Sequence, residues 1–220
     1  MKNKKGFNVV LNISMLILML IEISGRLVSS FYHELLGIGL IMLFIVHNIK
    51  NINWYRFIFK GRYNLYRTMI FIINAGLIIS FSVLIISAVP ISRSIFKFLE
   101  LEGGLNIRKL HTSSSYIGLI FISIHLGFHM EIIMNKVKNK INMHGLKTKI
   151  VFCIIFALTF IWGIRSFIYR NIPSKVIAYY SFDIASSNDS LSIALWDYFC
   201  IVFFISFLCY FIMKFINKRI

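Results

Sequence analysis

Residues 33–47 read HELLGIGLIMLFIVH, and residues 111–125 read HTSSSYIGLIFISIH. In both, two histidines fourteen residues apart bracket a run that is otherwise apolar or small. Histidine is costly in hydrocarbon, so its placement inside such runs demands a partner. On a helix, fourteen residues leave the two side chains about 40° apart, on nearly one face. They are separated along the axis by about 21 Å. The second segment repeats the first at an offset of 78 residues.

Outward from these segments the chain reads as six apolar runs, roughly 7–27, 31–50, 65–89, 110–134, 148–169 and 192–215. Each is long enough to cross a bilayer as a helix. Hydrophobic residues make up 58% of the 220, a share that belongs to helices packed in lipid and not to a water-soluble core. The expected fold is all-α: a polytopic membrane helical bundle with six transmembrane helices and a haem-binding core. It forms a single integral membrane domain over residues 1–220, with an internal two-helix repeat at about 31–50 and 110–134. The start, MKNKKGFNVVLNISMLILMLIEISGRL, has a basic end and an apolar middle but no A-x-A-like cleavage site. It reads as an uncleaved first helix. Cys153, Cys200 and Cys209 lie in apolar stretches without a C-x-x-C spacing, as inert thiols do.

The net charge of +16 comes from basic residues at the ends of apolar runs. This distribution is that of the positive-inside rule, and it excludes nucleic acid as the partner. Sixteen Lys and Arg fall on the side that holds both termini and the loops after spans two and four; eight fall on the other. The expected location is the cytoplasmic membrane, multi-pass and in contact with lipid, with both termini cytoplasmic. On the outer side, residues 91–109 place Ile91, Ile95, Phe98 and Leu99 at helical spacing, which predicts an amphipathic helix in the interface. Residues 171–190 read equally as a solvated loop or as a docking surface for an external partner.

Spans two and four are separated by one helix and so run in the same direction. His33 and His111 then share the outer level, and His47 and His125 the inner one. Two facing His–His pairs stacked across a bilayer are what bis-imidazole ligation of two haems b requires. His33, His47, His111 and His125 are the expected iron ligands. Gly37, Gly39 and Gly118 permit either the flat approach of a porphyrin or ordinary small-residue helix packing. Three roles are open to His129, one turn below His125: ligand in its place, hydrogen bond to a propionate, or contact with a quinone. Level matching with His47 favours His125 as the ligand. Arg26, Arg108 and Lys109 near the outer level, and Lys50 and Lys136 near the inner one, are placed to meet propionates or are plain flanking charge. Glu22 and Arg26, four apart, can pair on a helix face. His144 lies in the basic inner loop and reads as ordinary.

The segments HELLGIGLIMLFIVHNIKNINWYRFIFKGRYN and RKLHTSSSYIGLIFISIHLGFH resemble the flavinylation-associated cytochromes, small bacterial membrane proteins. The features in common are His33-Glu34, Leu36-Gly37, His47, Asn53 and Trp54, and more loosely the His125, Gly127, His129 ending. The polar TSSS after His111 departs from the family pattern. The resemblance implies a b-type cytochrome with two haems that passes electrons across the cytoplasmic membrane. Its outer partner would be an extracytosolic flavoprotein with covalently attached flavin. Its inner donor would be the quinol pool or a cytoplasmic electron donor. It would be the electron-transfer component of a membrane oxidoreductase system. The chain has no G-x-G-x-x-G fingerprint of its own. Two other functions compete: a self-contained transmembrane reductase, and a transporter whose intramembrane histidines bind metal or relay protons.

Overall fold

The computed structural model describes residues 2–24, 29–140, 146–179 and 190–217. Six long helices carry it: α1 (Lys2–Ile23), α2 (Ser30–Lys50), α4 (Leu65–Ile91), α5 (Leu105–Lys140), α6 (Leu146–Tyr169) and α8 (Leu191–Asn217). Two short ones, α3 (Ile52–Phe57) and α7 (Ile172–Val176), follow α2 and α6. Each of the six contains a window long and apolar enough to cross a membrane, and among the described residues there is no strand. The chain is an all-α, polytopic membrane bundle.

The helices associate as neighbouring pairs: α1 with α2, α4 with α5, and α8 with both α5 and α6. Without a hydrophobic driving force between helices in lipid, close approach depends on small residues. Three glycines supply it. A methyl group on Gly76 (α4) would strike the ring of Phe121 (α5). One on Gly127 (α5) would lie 2.7 Å from the Ser206 carbonyl oxygen (α8). One on Gly163 (α6) would collide with the Cys200 carbonyl oxygen (α8). The open end of the α1–α2 hairpin is closed by Lys50, whose Nζ donates to Asn8 Oδ1 at 2.8 Å and sits over the Phe7 ring.

Burial is uneven. A third of the α8 window is buried (33%), but only 6% of the α2 window. Close backbone packing joins α2 to α1 but not to α5. Phe44 of α2 bridges to α4 by stacking on Phe81, with centroids 4.6 Å apart and planes 15° apart. This leaves α2 little covered at Gly37 and at Gly39, which lie on different sides of the helix. A methyl on Gly39 would meet nothing within 4 Å, and one on Gly37 only Glu22 Oε2 at 3.4 Å.

The connection from α4 to α5 departs from the expected amphipathic helix. Only Lys97–Leu99 forms a single 3-10 turn, and α5 starts at Leu105. The reason is Glu34 of α2. Its carboxylate accepts from Ser92 Oγ (2.8 Å) and from the backbone N–H groups of Arg93 (2.7 Å), Ser94 (3.1 Å) and Ile95 (2.6 Å). Backbone donors satisfied by a side chain are lost to a helix. Phe98 is left 75% exposed. Residues 180–189 lie outside the described residues, as do Arg26 and His144.

At the opposite end of α4, Arg67 folds the loop between α3 and α4. Its guanidinium donates to the carbonyl oxygens of Phe57 (2.7 Å), Arg62 (3.3 Å) and Lys60, while Gly61 takes the left-handed φ of 86° that the turn needs. Tyr55 donates to Asn48 Oδ1, and burial raises the pKa of its phenol. Near the start of α8, buried Asp197 accepts from Trp162 Nε1 (2.9 Å), Ser166 Oγ (2.8 Å) and Arg170 Nε (2.9 Å), so its charge is paired and hydrogen-bonded.

Candidate functional site

The two hairpins α1–α2 and α4–α5 bring four histidines together at two levels. His33 (α2) and His111 (α5) face one another with ring centroids 6.5 Å apart and planes at 76°. At the other end, His47 (α2), His125 and His129 (both α5) lie within electrostatic range of one another. The rings of His125 and His129 are 4.9 Å apart.

What orients these rings is a set of oxygen atoms on the neighbouring helices. His47 Nδ1 lies 3.1 Å from Asn12 Oδ1 of α1. His125 Nδ1 lies 2.9 Å from Asn74 Oδ1 of α4. His111 Nδ1 lies 3.2 Å from both the Leu84 carbonyl oxygen and Ser87 Oγ of α4. His33 Nδ1 lies 3.0 Å from Glu22 Oε2 of α1, close but off the line of a formed hydrogen bond. Carbonyl, amide and carboxylate oxygens only accept, so Nδ1 carries the proton toward them and Nε2 keeps its lone pair. His129, the most exposed of the five, has no such acceptor among the described residues.

Registry explains the levels. In an antiparallel pair, moving along one helix moves back along its neighbour. Glu22 therefore meets His33 near one end of the α1–α2 hairpin and Asn12 meets His47 near the other. Ser87 meets His111 and Asn74 meets His125 in the α4–α5 hairpin by the same rule. Asn12, Asn74 and Ser87 are absent from the sequence expectations, and Glu22 entered them only as a partner for Arg26. Their signal was present: each is a polar residue inside an apolar run.

Other expected site residues are placed less directly. A methyl on Gly118 would lie 3.6 Å from Ser80 Oγ of α4, an ordinary contact, so Gly118 lies on the side of α5 that meets α4. Arg108 and Lys109 are half-buried in the first turns of α5, before His111. Lys50 is engaged by Asn8 and Phe7, and Lys136 is exposed. The expected Glu22–Arg26 pair lies partly outside the described residues. Among the described residues, no three of His, Cys, Asp or Glu converge as a bare-ion site would. Inward of the His125 acceptor along α4, a cleft of about 550 Å³ is lined by Trp54, Lys60, Tyr63, Arg67 and Phe71, and by none of the histidines.

No family model, curated protein or solved structure matches this chain.

Proposed function

We propose that the chain is a di-haem b-type cytochrome that passes electrons across the cytoplasmic membrane. The observation that carries this reading is the pairing itself. Four histidines on two helices stand at two levels, each with Nδ1 turned toward an oxygen and Nε2 left to bind. Ligating histidines almost always hold an acceptor on the second nitrogen, which fixes the ring and its tautomer. The donor set fits haem b. Two metal–imidazole bonds of about 2.0 Å put ring centroids about 6.3 Å apart across one iron, against the 6.5 Å of His33 and His111. Gly37, one turn from His33 on the same side of α2, leaves room for a flat group beside that residue.

Haem iron with two protein ligands supplies a one-electron carrier without an open coordination position. The rest falls to the chain. His33 and His111 hold the outer group, and His47 and His125 the inner one. Asn12, Asn74, Glu22 and the Leu84–Ser87 turn fix the imidazoles. Glu34 anchors residues 92–95 at the outer end of α2, beside His33. Phe44 and Phe81 fill the space between levels. Arg108 and Lys109, half-buried in α5 just before His111, would supply cations for the outer propionates. The resemblance to flavinylation-associated cytochromes supports an extracytosolic flavoprotein as acceptor, and the quinol pool or a cytoplasmic donor as source. The chain then works as the electron-transfer component of a membrane oxidoreductase system.

A pyridine haemochrome assay and a reduced-minus-oxidised spectrum of the purified protein test this. Two low-spin haems b per chain are expected. His33→Ala or His111→Ala removes one of them, and His47→Ala removes the other. One haem or none in the intact, haem-replete protein sinks the reading.

A further inference from the structure

The cleft at the start of α4 holds none of the histidines, and its lining is of two kinds. Trp54, Phe57, Tyr63 and Phe71 give it aromatic walls, and Lys60 and Arg67 bring two cations to it. Its volume of about 550 Å³ is that of a site for a small molecule. Arg67 gives three of its five guanidinium donors to backbone carbonyl oxygens, which leave its charge in place. Neither Lys60 nor Arg67 forms an ion pair among the described residues. No Asp or Glu occurs between Glu34 and Glu100, whereas residues 50–67 hold five Lys and Arg. On α5, exposed Glu131 stands one turn beyond Phe128, whose ring meets Tyr66 of the cleft, but it is not part of the lining.

The cleft sits where two apolar spans meet a loop, α2 ending at Lys50 and α4 starting at Leu65. Phe57 and Phe59 of that loop are 56% and 94% exposed. Such rings, with Trp54, Tyr63 and Tyr66 beside them, belong at the bilayer interface and not in water. An occupant is therefore reached from lipid, and it has to match both the cations and the walls. A water-soluble anion makes no use of the walls, and a quinone makes no use of the charge. A zwitterionic lipid sets its own cation against Lys60 and Arg67. We propose that the cleft holds one anionic phospholipid, with its phosphate at Lys60 and Arg67 and its chains against Phe57 and Phe71. Basic recesses beside transmembrane helices are the usual seats of such headgroups. The lipid ties α3 to α4 and so steadies the end of α2, the least buried of the six spans. The proposal does not depend on the di-haem reading.

Native mass spectrometry of the purified full chain tests it, with dioleoyl phosphatidylglycerol and dioleoyl phosphatidylcholine as probes. One phosphatidylglycerol per chain is expected to stay bound under conditions that strip phosphatidylcholine. Lys60 is exposed, so Lys60→Gln leaves the fold intact. It is expected to weaken phosphatidylglycerol about fivefold, the worth of one cation at an anionic surface, and Lys60→Arg to keep it. Lys149→Gln, at an exposed position on α6 away from the cleft, leaves the affinity unchanged. Tryptophan fluorescence locates the lipid. A minor share of bromine-chain phosphatidylglycerol in phosphatidylcholine vesicles is expected to quench more than the same share of bromine-chain phosphatidylcholine, and Trp54→Phe removes that excess. Equal retention of the two lipids overturns the proposal. So does a preference that Lys149→Gln lowers as much as Lys60→Gln, which is diffuse surface attraction, or an excess quenching that survives Trp54→Phe. Inorganic phosphate that displaces the lipid at equal concentration makes this a free-anion site. A short-chain quinone that displaces it, with Lys60→Gln without effect, makes it a quinone site. Either result refutes the lipid.

Discussion

His125 and His129 stand one turn apart on α5 with rings in contact, yet their surroundings differ. Asn74 holds His125 through Nδ1, whereas His129 is exposed and lacks such an acceptor among the described residues. A free imidazole loses rotamer entropy on ligation, and a held one has already lost it. His129→Ala is therefore expected to keep both haems, and His125→Ala to lose the inner one. Haem counts on the two variants side by side check this; both haems retained in His125→Ala would assign the ligand to His129. The histidines were legible in the sequence because helical geometry alone puts residues fourteen apart on one face. Their acceptors were not, because a sequence does not say which helix stands opposite which. Asn12 and Asn74 interrupt apolar runs visibly, but only the antiparallel registry of each hairpin shows that they land on His47 and His125.

Each hairpin has the same order, an acceptor helix followed by a histidine helix. The repeat noted at 31–50 and 110–134 is thus the second half of a repeated two-helix unit, α1–α2 and α4–α5. Run length made the six spans legible to within a few residues at most ends. α3 and α7, six and five residues long, were missed because so short a run carries no helical period. Residues 91–109 were misread as a helix because their apolar spacing is outweighed by the donors that Glu34 captures. The glycines that matter for packing were also missed. Attention fell on Gly37, Gly39 and Gly118, whereas the tight crossings are at Gly76, Gly127 and Gly163. Gly163→Val is expected to destabilise the α6–α8 contact by about 1–3 kcal/mol, the usual cost of overpacking. Gly39→Ala, with open space before it, should be close to neutral without haem. Thermal unfolding in detergent compares them; an unchanged midpoint for Gly163→Val would refute the close crossing.

For the whole molecule, the sixteen-to-eight split of Lys and Arg fixes the expected orientation. A reporter fused after Lys218 should be active only in its cytoplasmic form; an extracytosolic signal would reverse the assignment of inner and outer. Orientation matters because the two histidines of each helix, fourteen residues apart, are separated by about 21 Å along its axis. An electron that passes from one level to the other moves about 21 Å through a hydrocarbon layer of about 30 Å. It crosses roughly two-thirds of the electric field that an energised membrane maintains. With a whole-membrane term of about 2.3 kcal/mol per charge per 100 mV, that step is worth about 1.6 kcal/mol at 100 mV. With the cell interior negative, the field pushes electrons outward. On the di-haem reading proposed above and with the expected orientation, a resting potential of 100 mV would shift the balance between the two carriers by a factor of about 15 toward the outer one.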